Sequence, residues 1–312
     1  MKLKPSENIQ LYGMKYFFNE IISLYKEKKL PTKILLSGKK GLGKSTLAYH
    51  IINYILSNNE MFKYDSSKLT INKDNKSFKL LQNNTHPNFY LIDLISEKKN
   101  IDVGQIREMI SYTNKSTFNN MERFILIDNI ENLNKNSINA LLKIIEEPNE
   151  NIFFILINNS EKNILPTLKS RCLKFMINFT FTESVNVSNQ ILGVNILDFI
   201  NHDLINYYNT PGEIVNLVNF SKDKNIDLND YSLANFLNLL IDNGYYKKNK
   251  IVKILLINFI ELFFLKEYKF SKSKNSLLNF YHNFMNKIYN TEKFNLDEES
   301  LFLEFKTKLL NG

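Results

Sequence analysis

The stretch that most constrains this chain is Gly38-Lys39-Lys40-Gly41-Leu42-Gly43-Lys44-Ser45. It fits G-x-x-x-x-G-K-[ST], the pattern of a phosphate-binding loop, which works only as the turn from a buried strand into a helix. Both flanks are present. Ile34, Leu35 and Leu36 read as the strand, and residues 46–56 read as the helix, with Leu47, Ile51, Ile52 and Ile55 as its apolar stripe. Glycine at 38, 41 and 43 lets the backbone wrap around phosphate oxygens, and N–H groups at the helix start point at them. Lys44 adds a charge at the outer phosphates and Ser45 an oxygen for Mg2+, with Thr46 next to them on the first turn. Glycine is scarce elsewhere, 9 residues in 312, so three within six positions are not a by-product of composition. The expected ligand is a nucleotide with Mg2+.

Four more strand-like runs follow, at 89–93, 124–128, 152–157 and 173–177. Helical stretches lie among them. Residues 14–29 carry Phe17, Ile21, Ile22 and Tyr25 on one face. After a polar turn at 96–100, Asp102 reads as an N-cap with Gln105 as its capping-box partner, followed by Ile106, Met109 and Ile110. Residues 136–147 place Ile138, Leu141, Leu142 and Ile145 at helical spacing, and Pro148 stops them; a short helix is expected at 164–169. Strands alternating with helices predict an α/β fold, a parallel sheet covered on both faces. Such sheets gather ligands at the carboxyl ends of their strands, where the 38–45 loop, Asp128 and Asn158 all fall.

Phe124-Ile125-Leu126-Ile127-Asp128 is a buried run closed by an acid. In a phosphate-loop protein that acid holds Mg2+ through water. An active hydrolase of this kind has a second acid beside it to polarise the attacking water. Here the neighbour is Asn129, whose amide orients water but takes no proton. The fourth run ends in Asn158-Asn159, and Asn158 is the expected sensor of the terminal phosphate. Residues 57–85 are Asn- and Lys-rich without a period, and read as an insertion or long surface loop.

A chain of 312 residues suggests two or three domains. Past residue 178 the strand pattern gives way to helices: a small unit at 184–218 containing the turn Thr210-Pro211-Gly212-Glu213, then 228–242, 248–268, 275–290 and 297–310. The single cysteine, Cys172, excludes an internal disulfide and a cysteine-cluster zinc site. His50, His86, His202 and His282 lack metal-ligand spacing, so no zinc is expected. The polar start, residues 1–10, lacks the apolar run of a signal peptide. Residues 251–265 are interrupted by Lys253, Asn258 and Glu261 and are too short to span a bilayer. A reducing, cytoplasmic setting without membrane contact is expected. Net charge is +8, a balance that attracts nucleic acid, although lysine is spread over the whole chain.

Four groups of residues together resemble the clamp-loader branch of the AAA+ ATPases, and within it subunits of the delta-prime type. They are Ile101-Asp102-Val103-Gly104-Gln105-Ile106-Arg107, Ile127-Asp128 with Asn132, Asn139-Ala140-Leu141-Leu142-Lys143 with Glu146-Glu147-Pro148, and Ser170-Arg171-Cys172. The likeness is specific over residues 1–178 and architectural beyond. It implies a RecA-like AAA+ domain at 1–178, a small helical lid at 179–220 and an all-α C-terminal collar at 221–312. It implies ATP and Mg2+ on Gly38, Gly41, Gly43, Lys44, Ser45, Thr46 and Asp128. It also implies a hetero-oligomer with gamma/tau-like and delta-like subunits that places a sliding clamp on primer-template DNA. Arg171 is then an arginine finger, a fixed charge reaching into a neighbouring subunit's ATP site.

The departures from the motor subunits matter as much. Asn129 stands where they carry the catalytic glutamate, Gly212 where they carry a lid arginine, and no tail extends past Gly312. The resemblance therefore implies ATP binding with weak or no hydrolysis. An active gamma-type motor, or a repair helicase or helicase loader on the same core, stays open as an alternative. Lys115, Lys135 and Arg107 are candidates for duplex-backbone contact, whereas Lys247, Lys248 and Lys250 read as the solvated start of a helix.

Overall fold

The computed structural model describes residues 4–95, 98–115, 121–146, 151–160, 163–271, 273–294 and 296–310. Of the residues singled out above, Met1, Ser96, Glu97, Glu147, Pro148 and Gly312 lie outside this set. The chain divides into two compact units, Met1–Ile191 with Thr210–Gly212, and Leu192–Asn209 with Glu213–Gly312.

The first unit is built on five strands: β1 Lys33–Ser37, β2 Phe89–Ile92, β3 Arg123–Ile127, β4 Ile152–Asn158 and β5 Leu173–Met176. Their order is β2-β3-β4-β1-β5 and every pairing is parallel. Alternate residues enter two separate cores. Ile34, Leu36, Phe124, Leu126, Ile155 and Ile157 face one of them. Leu35, Ile125, Ile127, Phe154 and Leu156 face the other. Burial on both faces is why the strands read as unbroken apolar runs rather than alternating ones. The first core is covered by α1 Lys15–Lys26, α2 Lys44–Leu56 and α3 Lys76–Gln82, and the second by α4 Val103–Thr113 and α5 Lys135–Glu146. The short α6 Pro166–Lys169 leads into β5, and α7 Phe181–Leu192 follows it. The expected capping box forms at α4: Asp102 accepts from the Gln105 N–H, and the Gln105 side chain accepts from the Asp102 N–H. This is the parallel, helix-covered sheet of the AAA+ core.

Residues 57–85 depart from the surface-loop expectation. They contain α3, whose N-cap Asn75 accepts from the Phe78 N–H at 2.7 Å. Tyr64, Leu69, Ile71, Phe78 and Leu81 are buried in the first core. These residues are spaced irregularly among Asn and Lys, so no period shows. The segment folds back on itself instead, through a bridge between Asp65 and Thr70. Tyr64 stacks on Phe18 at 5.1 Å, and its hydroxyl meets Nδ1 of His50 at 2.9 Å. Burial pushes His50 down to about 4, so this buried network is uncharged near neutral pH. Tyr64→Ala is expected to cost about 3–5 kcal/mol, the usual loss for a large buried ring. Urea denaturation measures it; an unchanged midpoint would return the segment to the status of a loop.

The second unit is helical. It holds most of α8 Pro211–Lys224, then α9 Leu233–Asp242, α10 Lys250–Phe270, α11 Lys274–Phe294 and α12 Glu298–Phe305. Asn249 starts α10 and Asp297 starts α12, each accepting from two backbone N–H groups. Phe264, Phe284 and Phe305, one from each of the last three helices, meet with ring centroids 5.4 to 6.3 Å apart. Among the described residues no helix is long and apolar enough to cross a membrane.

Candidate nucleotide site

The loop after β1 is shaped by what surrounds it. The Gly38 N–H donates to the Asn158 carbonyl at 3.2 Å. A side chain on Gly38 would stand 2.2 Å from the Ile177 carbonyl oxygen, so only glycine passes there. Gly41 and Gly43 have φ of +86° and +87°, the left-handed region that favours glycine. Leu42 between them is buried in the first core and anchors the loop. Gly43 caps α2, whose first N–H groups are then free to face an anion.

Lys44 is buried, and its ammonium folds back to donate to the carbonyls of Gly38 at 2.8 Å and Lys39 at 2.7 Å. Ser45 Oγ donates to Asp128 Oδ2 at 2.5 Å, across from α2 to the tip of β3. Thr46 Oγ1 accepts from Asn8 Nδ2 at 3.2 Å. Burial, with the Asp93 charge adding to it, holds the Asp128 carboxyl above the usual carboxylate range, against the pull of Ser45 and the Asn129 N–H. A glycine cradle, a helix N-terminus and two hard oxygen donors already in contact fit the phosphates and Mg2+ of a nucleotide.

Beside Asp128 lies a chain of amides. Asn129 has φ 57°, ψ 44°, a left-handed conformation that asparagine tolerates. Its Nδ2 donates to Asp93 Oδ1 at 2.6 Å, and its Oδ1 accepts from Asn159 Nδ2 at 2.8 Å. Asn159 Nδ2 also lies 3.5 Å from Asp128 Oδ1, and its backbone N–H donates to the Glu131 carboxylate at 3.1 Å. Asn158 turns elsewhere. Its Nδ2 donates to Ser37 Oγ at 3.1 Å and its Oδ1 accepts from the Ser160 N–H at 3.0 Å. The amide that reaches Asp128 from the β4 tip is therefore that of Asn159. Two adjacent asparagines are alike in sequence, and only the register of β4 decides which one faces the site. Asp93 was equally hidden, since its importance depends on β2 pairing with β3.

Gly212, in the part of the first unit contributed by Thr210–Gly212, donates its N–H to the Gly41 carbonyl at 3.0 Å. A Cβ at 212 would meet Gly41 Cα at 2.7 Å. The loop backbone thus fills the space a side chain at 212 would need.

Arg171 has its own partners. Its Nη2 pairs with Glu146 Oε1 at 2.7 Å, and its Nη1 donates to the Thr167 carbonyl at 2.9 Å, with the side chain 36% exposed. The signature helix α5 sorts itself by face. Leu141 and Ile145 enter the second core, while Asn139, Lys143 and Glu146 form one exposed stripe leading to Arg171. Arg107, Lys115 and Lys135 are exposed, and Lys247 pairs with Glu299 at 2.6 Å.

A family model described as "DNA polymerase III, delta subunit" matches residues 13–180. The chain is similar to DNA polymerase III subunit gamma of Buchnera aphidicola subsp. Schizaphis graminum, 30% identical over 254 residues, or 80% of this chain and 62% of that relative. It is also similar to DNA polymerase III subunit delta' of Pseudomonas aeruginosa, 30% identical over 140 residues, 45% of this chain and 41% of the relative. The match spans less than two thirds of either relative's length. Among solved structures, a DNA polymerase III gamma subunit-related protein from Thermotoga maritima covers 83% of this chain and 76% of its own, with 18% identity and a TM-score of 0.42.

Proposed function

The chain belongs to the DNA polymerase III delta-subunit family, and from that premise we propose a clamp-loader subunit of the delta-prime type. It binds ATP, turns it over weakly or not at all, and donates Arg171 to a neighbouring ATPase subunit. Its partners are gamma/tau-like and delta-like subunits, and through the complex the sliding clamp and primer-template DNA in the cytoplasm. The domains proposed for this work are the nucleotide-binding domain at 1–178, a lid at 179–220 and an oligomerising collar at 221–312.

The observation that carries this reading is the company Asn129 keeps. Mg2+, held by Ser45 and Asp128, supplies the positive charge that neutralises phosphate oxygens. Gly38, Gly41, Gly43 and the start of α2 at Lys44 to Thr46 bind the phosphates, with the Lys44 ammonium exchanging loop carbonyls for phosphate oxygens. Asn129 then stands where a base is needed. Its carbonyl oxygen already accepts from Asn159 and one amide hydrogen is given to Asp93. What remains is chiefly a donor. A donor holds a water's lone pair instead of freeing it, and general-base catalysis worth about 10²–10⁴ in rate is lost. Asn159, rather than Asn158, is placed to feel the terminal phosphate through Asp128 and Asn129.

One observation favours the gamma-type alternative: the similarity to a gamma subunit extends over 80% of this chain, further than that to the delta' relative. Nucleotide titration and turnover on the purified chain separate the two. The expected result is saturable Mg2+-dependent ATP binding with turnover well below about 1 s⁻¹, the lower end of ordinary enzyme rates. Turnover at motor rates would select the gamma-type reading. Loss of all binding would remove the nucleotide from both.

A further inference from the structure

We propose that Asp93 is a positioning residue for Asn129, and that acid and amide are exchanged between the tips of β2 and β3, so that position 129 is closed to a carboxylate while Asp93 is present. The inference rests on the reading of this region as a nucleotide site. It concerns which of two neighbouring positions carries the acid.

The geometry is a matter of matching donors with acceptors. Asp93 Oδ1 accepts from Asn129 Nδ2 at 2.6 Å and from the Leu94 N–H at 2.6 Å. The Asp93 carbonyl accepts from Gln105 Nε2 at 2.9 Å, which ties the β2 tip to the start of α4. Asp93 is thus held in place and presents an acceptor. Asn129 meets it with a donor and turns its own acceptor toward Asn159. A carboxylate at 129 keeps the contact to Asn159, because that neighbour donates. It fails toward Asp93, because two acceptors then face each other with no hydrogen between them and two like charges within contact distance. Asp128 stands next in the chain, so the new charge has no cation to offset it on that side.

The exchange also says how the site would be restored. With asparagine at 93, both neighbours of a residue-129 carboxylate donate: Asn159 from one side and residue 93 from the other. A base held by two donors keeps a lone pair for water. Placing glutamate at 129 alone does not recreate a hydrolase. The two positions have to change together.

A double-substitution cycle tests this: D93N, N129E and D93N/N129E against the unaltered chain, each with two readouts. Melting of the nucleotide-free chain reports the coupling without any chemistry. The left-handed backbone at 129 strains glutamate in both variants that carry it, so that cost cancels in the cycle; Asn129→Asp, whose short side chain tolerates this backbone, repeats the measurement without the strain. N129E and N129D are expected to lower Tm, and adding D93N to return most of the loss, a non-additivity expected only of residues in contact. ATP turnover is the second readout. N129E alone is expected to gain little, and D93N/N129E to gain about tenfold or more, the low end of what a positioned base contributes. Melting shifts that simply add, or N129E turning over as fast as the double variant, would overturn the exchange. Coupled melting with no turnover in the double variant would support the exchange and count against the nucleotide-site reading beneath it.

Discussion

Arg171→Ala is expected to lower the ATPase of the assembled complex about 10³-fold or more, in the range that arginine fingers contribute, while assembly survives. The expectation follows from how the guanidinium is held. Glu146 and the Thr167 carbonyl fix it from two sides at 2.7 and 2.9 Å, and it is still 36% exposed. A charge fixed before the reaction needs no reorganisation when charge develops on a transferred phosphoryl group. A neighbour's phosphate offers the guanidinium a second anion of the same bidentate geometry as Glu146. The ion pair itself is worth little to folding, about 0–1 kcal/mol for an exposed pair, so its removal leaves the fold and the exposed α5 stripe intact. Arg171→Lys keeps a charge without the planar fork and is expected to recover only a small part of the rate. Glu146→Gln loosens the guanidinium and is expected to fall between the two. Clamp-stimulated phosphate release, with assembly followed by gel filtration, reads all three. An Arg171→Ala complex as active as the unaltered one would make Arg171 an ordinary surface arginine.

What the sequence showed of this fold, and what it hid, divides along a physical line. The phosphate loop is legible because glycines at fixed spacing before Lys44 and Ser45 meet a backbone requirement that residues with a Cβ meet poorly, and Gly41 and Gly43 take the left-handed conformation it demands. The strands are legible because burial on both faces leaves little room for polar residues in them. The capping box at Asp102 and Gln105 is legible because all its partners lie within one turn. What depends on pairing distant segments stayed hidden. Tyr64 and Phe78 join the first core from a stretch with no period, held by contacts to α1 and α2 that no local pattern encodes. Asn158 and Asn159 differ only in which side of the β4 tip they occupy. Asp93 closes the second strand run like any polar residue until β2 is set beside β3. Gly212 marks a missing side chain in the sequence, and only the structure shows that the Gly41 backbone fills the space. The chemistry of single residues was thus open to reading, and their choice of neighbours was not.

Asp128→Asn is expected to move stability and binding in opposite directions. The Asp128 carboxyl is held above its ordinary value of 3.8, first by burial and then by the charge of Asp93. The sign follows from which state keeps the proton. As pH rises from below 3.8 the unfolded chain gives up its proton first, while the folded chain holds on to it. Stability contributed by this group is complete below 3.8, falls as pH rises through the raised folded value, and stays lost at neutral pH. Asparagine carries no such charge, and its oxygen still accepts from Ser45 Oγ as Asp128 does. The nucleotide-free variant is therefore expected to melt about 2–4 °C higher at pH 7, the shift that about 1 kcal/mol produces in a domain of this size. The gain should shrink toward zero as pH falls to 4. Mg2+-dependent ATP binding should weaken about 10–100-fold, the usual loss when an outer partner of a metal is removed. Melting at pH 4 and pH 7, with ATP titrations in Mg2+ and in chelator, separates the two effects. A variant that melts lower at neutral pH would show that the Ser45 contact outweighs the buried charge. Unchanged Mg2+ dependence would remove Asp128 from the metal's surroundings. Both effects as expected would mean that this chain keeps a destabilising carboxylate at the β3 tip. Such a cost is understandable only if the nucleotide site is used, even though its neighbour at 129 has ceased to be an acid.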